Sequence, residues 1–191
     1  MARQPRSFKA DNYSLAFWEA ECFLHISKMV KEKTYLKEFT QKEIDRSINF
    51  QYATHVNHAY AFELYLKCIM IIETGECFEG HELFELFKLL PEKSRTSIEN
   101  RYNSNYKVIR RNKTYFGIFE SPTVSELLEE THKAFTEFRY LFSRTNTPTY
   151  ELDNLIECVR EEIFLLKPEL KRLLVNSAAN RRIYKKPGRT M

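Results

Sequence analysis

The longest strongly apolar run in the chain is VNHAYAFELYLKCIMII at 56–72, with apolar residues on most of a helical circumference. A helix of that kind is buried on most sides, so this segment is the expected hub of the fold. Upstream of it, Ile44, Ile48, Tyr52 and Val56 stand four apart on one stripe. The spacing predicts a helix over 41–74, with a break near Asn49 or His55 and an end at Gly75 in the left-handed conformation. Before it, Phe17, Cys22, Phe23, Ile26, Met29 and Val30 predict a helix over about 15–33, with Ser14 as its N-cap.

After Gly75 a short loop is expected at 76–80. HELFELFKLL at 81–90 is then a short amphipathic helix stopped by Pro91. Proline at a first helical position opens the next helix, marked by Ile98, Tyr102, Tyr106 and Ile109. A loop over 112–122 leads to a helix capped by Thr123 or Ser125 and carried by Leu127, Leu128, His132, Phe135, Phe138 and Leu141. The segment SRTNTPT is a loop. A last helix is expected over 150–175, with Leu152, Leu155, Ile156, Val159, Ile163, Leu166, Leu170 and Leu173 on its stripe, and Pro168 predicts a kink or break near Leu166. Residues 1–12 read as irregular and 177–191 as a disordered basic tail. No strand–helix alternation and no internal repeat occur. The expected fold is an all-α helical bundle of five or six helices, in one domain spanning 1–176. Its core blocks lie within 41–143.

Composition agrees with this reading and adds little to it. Four Gly and six Pro in 191 residues are few turn signals, which favours long helices. The net charge of +4 is unevenly placed. Between positions 92 and 113, Lys93, Arg95, Arg101, Lys107, Arg110, Arg111 and Lys113 face only Glu92 and Glu99, and the tail adds Arg181, Arg182, Lys185, Lys186 and Arg189. Such runs are solvated faces or attract anionic partners. Tyr102, Tyr106, Tyr115 and Phe116 interleave with the first run, and stacking faces beside positive charge suit single-stranded nucleic acid. Cys22, Cys68, Cys77 and Cys158 form no CxxC, and no apolar h-region follows the basic opening MARQPRSFKA. A reduced, cytoplasmic protein is therefore expected. No apolar run approaches the ~20 residues that span a bilayer, so no membrane partner is expected.

The chemistry-bearing patterns are sparse. The isolated glycines exclude both GxGxxG and GxxxxGK[ST], and neither HExxH nor GxSxG occurs. No cofactor is expected. His55 with His58, and Cys77 with His81, have spacings that suit metal ligands, but neither pair has a third ligand in sequence, so no metal is expected. Glu63 and Lys67 stand at i, i+4 on the most apolar helix, where burial would oblige them to pair. His132 and Arg139, seven apart, share a helix face. A histidine that moves a proton and an arginine that clamps a phosphate can together cleave RNA without metal.

Three blocks, HAYAFELYLKCIMIIETGE, GHELFELFKLLP and HKAFTEFRYLFS, resemble the HEPN superfamily over about residues 55–143. The matching positions are Ala61, Glu63, Leu64, Leu66 and Lys67; Gly80, His81 and Leu83; and Phe135, Phe138, Arg139 and Tyr140. Glu63, Lys67, Gly80 and His81 form the structural signature. The resemblance implies a helical bundle that commonly dimerises, in prokaryotic toxin–antitoxin, abortive-infection or other defence systems. Many members are metal-independent ribonucleases with Arg-x4-6-His on one helix, and others are non-catalytic binders of RNA, nucleotides or proteins. No Arg in this chain is followed by His at that spacing, and His132-x6-Arg139 has the two types in reverse order. The leading expectation is therefore a homodimeric, HEPN-like, non-catalytic or degenerate module that binds RNA, a nucleotide or a partner protein, with one face of 56–72 in the dimer seam. Lys107, Arg110, Arg111, Lys113 and Arg144 are its candidate binding residues. One alternative is a metal-independent ribonuclease using His132 and Arg139. The other is a structural interaction protein whose basic segments dock an acidic partner.

Overall fold

The computed structural model describes residues 7–35, 41–112, 122–132 and 152–183, without the side chains at 32–52, 106–112, 130, 132 and 176–183. Among the described residues the protein is an all-α bundle of seven helices with one small two-stranded sheet. Strand β1 is Ser7–Lys9 and β2 is Glu76–Phe78. The helices are α1 (Tyr13–Tyr35), α2 (Gln41–Thr74), α3 (Leu83–Leu89), α4 (Glu92–Asn112), α5 (Val124–His132), α6 (Asp153–Leu166) and α7 (Pro168–Ile183). No described helix is long and apolar enough to cross a membrane.

Helix α2 runs unbroken through Asn49 and His55, against the expected interruption. Neither residue is a proline or a glycine, so nothing removes a backbone bond there. Its second half is the hub. Ala59, Ala61, Phe62, Tyr65, Leu66, Cys68, Ile69 and Met70 are all sealed inside the chain. Gly75, at φ +70°, ends the helix in the left-handed region, and its N–H donates to the Ile71 carbonyl at 3.1 Å.

Helix α1 lies antiparallel along α2. Phe17 meets Tyr65, Phe23 stacks on Tyr60 at 5.2 Å, and the Ser27 hydroxyl donates to the Thr54 carbonyl at 3.3 Å. The buried face of α1 is Phe17, Ala20, Leu24 and Ser27. The expected stripe is thus corrected: Cys22, Ile26 and Met29 are exposed, together with Leu15. The small residues Ala20 and Ser27 carry little hydropathy, yet both are fully buried. The N-cap is Asn12 rather than Ser14, since Asn12 Oδ1 accepts the Leu15 N–H at 3.0 Å.

Helix α6 crosses this pair antiparallel to α1, with Lys28–Glu157 and Lys31–Asp153 both at 3.4 Å and Arg160–Glu21 at 2.7 Å. Arg160 clasps Glu21 through Nε and Nη2 (2.7 and 3.1 Å), and the Tyr65 hydroxyl donates to the same carboxylate at 2.7 Å. Helix α4 packs on the other side of α6. There the buried Glu162 accepts from Ser97 Oγ (2.5 Å), Arg101 Nη2 (3.3 Å) and Ser94 Oγ (3.5 Å).

Proline breaks the C-terminal helical stretch as expected. Lys167 leaves helical geometry (φ −138°, ψ 77°), and Pro168, which has no N–H to lose, opens α7. Two expectations fail near it. Leu173 is exposed rather than on the packed stripe, and α7 runs to Ile183, so residues 177–183 are helical and not a disordered tail. At the other end, residues 7–9 and 76–78, read as irregular and as loop, pair antiparallel with Ser7 opposite Phe78, Phe8 opposite Cys77 and Lys9 opposite Glu76. Thr123 is the cap of α5 in a reciprocal capping box. Its N–H donates to Glu126 Oε2 at 2.7 Å, and the Glu126 N–H donates to Thr123 Oγ1 at 3.2 Å.

Candidate functional site

The four signature residues converge. Helix α2 carries Glu63 and Lys67 one turn apart. Past Gly75 the chain turns back along α2 through β2, and Gly80, at φ +146°, redirects it just before α3. No atom would crowd a Cβ at Gly80, so glycine is needed there for its backbone alone. The expected helix over 81–90 begins two residues later, at Leu83. His81 is therefore left on the turn, where its side chain reaches α2.

Glu63 is the centre of the cluster. Its Oε1 accepts from Lys67 Nζ at 2.8 Å and from His81 Nδ1 at 2.9 Å. The carboxylate is 5% exposed, Lys67 14% and His81 68%. The arrangement is thus a buried anion clamped between a nearly buried ammonium and a surface imidazole. Glu63 Oε2 is buried with no hydrogen-bond partner among the described residues. Cys77 lies in the field of this pair. Burial pushes its thiol pKa up, Lys67 pulls it down and Glu63 raises it again, so at neutral pH it is a thiol and not a nucleophile. Glu63 comes beside His81 although it is remote from the Cys77–His81 pair in sequence. Even so, no three His, Cys, Asp or Glu side chains among the described residues are placed to hold a metal.

Of the other metal-spaced pair, His55 is half-buried on α2, whereas His58 is enclosed. His58 is buried, with burial lowering its pKa, and it faces Asp153 at 3.8 Å.

The basic run on α4 divides in two. Arg101 is committed to the fold: Nη1 donates to the Cys158 carbonyl at 2.8 Å and Nη2 to Glu162. Arg95 donates to the Lys88 carbonyl at 3.1 Å. Tyr102, which stands on the Ile98 stripe as well as beside the basic run, is fully buried and belongs to the core rather than to a stacking face. Lys107, Arg110 and Arg111 lie on the last turns of α4, but their side chains are outside the described residues. His132 ends α5, its side chain likewise outside, and Lys113, Arg139 and Arg144 fall outside altogether, as do Tyr115 and Phe116.

Two networks escaped the sequence reading. They are Glu21–Arg160–Tyr65 and Glu162 with Ser94, Ser97 and Arg101. An acid at Glu162 inside an apolar stripe was the available signal for the second, because a buried carboxylate obliges a partner elsewhere.

Comparisons with family models, curated proteins and solved structures return no match to this chain.

Proposed function

We propose that the chain is a HEPN-like, non-catalytic helical module that acts as a homodimer and binds RNA. The observation that supports this is the convergence of Glu63, Lys67 and His81, at 2.8 and 2.9 Å, on the positions that carry the resemblance. Lys67 and His81 both donate to Glu63, and through that carboxylate the turn after Gly80 is pinned onto α2. A signature used in this way marks a scaffold rather than a reaction centre.

Binding falls to the second half of the basic run, Lys107, Arg110, Arg111 and Lys113, with Arg144, because Arg95 and Arg101 already serve the fold. The dimer seam falls to the line of α2 that the monomer leaves half-buried, which carries Tyr60, Leu64, Lys67 and Ile71.

Light scattering at micromolar concentration tests the dimer. The expected mass is twice that of one chain, and Leu64→Arg returns it to one while the helical circular dichroism is kept. Wild-type protein that scatters as a monomer sinks the dimer reading. Binding to single-stranded RNA should fall steeply with salt, and each of Lys107→Ala and Arg110→Ala should reduce the salt slope by about one. Binding to an acidic protein but not to RNA would favour the docking alternative, and RNA cleavage in EDTA that His132→Ala abolishes would favour the ribonuclease.

A further inference from the structure

His58 stands where α1, α2 and α6 meet. Its side chain is 3% exposed, and Nε2 has no hydrogen-bond partner among the described residues. The nearest anion is Asp153, the first residue of α6, whose Oδ1 is 3.8 Å away, too far for a hydrogen bond. The other oxygen of Asp153 accepts from Lys31 Nζ of α1 at 3.4 Å. Among the described residues, the remaining charged or titratable groups facing His58 are Lys28 from α1 and His55 from α2. Lys28 is itself held by Glu157 of α6 at 3.4 Å.

The Asp153 side chain is 42% exposed, so it lies between the buried ring and solvent. Nor is the turn that carries it fastened by a cap. Leu152 occupies the N-cap and makes no side-chain bond to the first turn of α6, which leaves its N–H groups without that partner. A displacement of the first turn of α6 would therefore open the ring to water past Asp153.

We propose that this seam is an acid-sensitive latch, in which protonation of His58 releases the first turn of α6 from α1 and α2. Burial, the largest effect, lowers the imidazole pKa. Asp153 raises it, and His55, Lys31 and Lys28 lower it further. The ring is thus neutral when latched, and it binds a proton more readily once the turn has moved and water has entered. By linkage the latched state is fully favoured above the ordinary imidazole pKa of about 6.5 and loses ground as pH falls below it. One proton is involved, so the loss is at most about tenfold per pH unit.

Amide hydrogen exchange read by mass spectrometry at pH 7.5 and 5.5, corrected for the intrinsic rate, tests this on the full chain. Protection of the segment containing residues 153–157 should fall severalfold at pH 5.5, while that of 61–70 in α2 holds. His58→Gln should remove the pH dependence. Equal protection at the two pH values, or the same loss in His58→Gln, overturns the proposal. Should His58→Gln fail to fold, nuclear magnetic resonance of the wild-type ring decides the matter. A midpoint below 6.5, moved lower still in Asp153→Asn, supports the latch, and a midpoint at or above 6.5 overturns it.

Discussion

Lys67→Met strands the Glu63 carboxylate from one side. Glu63 is 5% exposed and cannot turn to water, whereas His81, which keeps its bond to Oε1, is 68% exposed. Losing one charge-assisted bond costs about 1.5–3 kcal/mol. A buried charge left with no partner at all costs about 3–5 kcal/mol, which is the ceiling here because His81 still donates. The reverse change, Glu63→Met, leaves Lys67 at 14% exposure on a four-carbon stem that can carry the ammonium outward, so it costs less, about 1–2 kcal/mol. The double variant replaces the pair by two apolar side chains of similar length and should lie within about 1 kcal/mol of wild type. The two single losses therefore exceed the double loss, with a coupling of about 2 kcal/mol. Urea titration followed by circular dichroism reads this directly. At a slope of about 2 kcal/mol per molar, Lys67→Met moves the midpoint down by roughly 1 M. A double variant that loses the sum of the two singles refutes the reasoning, because Glu63 and Lys67 would then act independently. A Lys67→Met midpoint indistinguishable from wild type refutes it from the other side.

Thiol titration with a chromogenic disulfide at pH 8 should count one fast thiol in the native protein and four in denaturant. Cys22 is exposed, while burial pushes Cys68 up to about 12 and also raises Cys77 and Cys158. Two fast native thiols would show that a second cysteine is open. Gly80→Ala should destabilise by about 1 kcal/mol or more, since φ +146° is strained for any side chain although the space is empty. An unchanged urea midpoint would mean that the turn relaxes freely. Thr123→Ala removes the hydroxyl half of the capping box and should cost about 0.5–2 kcal/mol, with Thr123→Ser retaining most of it. Equal midpoints for the two variants would count against the cap.

Where the fold was legible, a single residue type imposed a local boundary. Gly75 ends α2, Pro91 precedes α4, Thr123 caps α5, and Pro168 divides α6 from α7. Where it was not, the deciding interaction was distant or the decisive residues were small. The strands at 7–9 and 76–78 have three residues each, too few for an alternating pattern, and each exists only because the other lies beside it. In α1 the apolar residues occupy both faces. Leu15, Cys22, Ile26 and Met29 outweigh Ala20 and Ser27 on any hydropathy scale, yet the latter pair is buried, and Ser27 bonds to α2. In α7, the helix formers around Ala178 and Ala179 outweigh the charge that suggested disorder.

The same division runs through the site. Glu63 and Lys67 are four residues apart, so in sequence burial alone would oblige them to pair, but His81 joins them from 18 residues away through a turn that depends on Gly80. Arg101 looked available to a nucleic acid because basic residues outnumber acidic ones around it, and Tyr102 stood both on the Ile98 stripe and beside that basic run. The partner that claims Arg101, Glu162, is 61 residues away, and Tyr102 is enclosed by the core. Positive charge counted along a chain therefore overstates what an external ligand can use. A cation serves recognition only if the fold has not already given it an anion or a carbonyl. On α4 that condition removes Arg95, which donates to the Lys88 carbonyl, and Arg101, which donates to the Cys158 carbonyl and to Glu162.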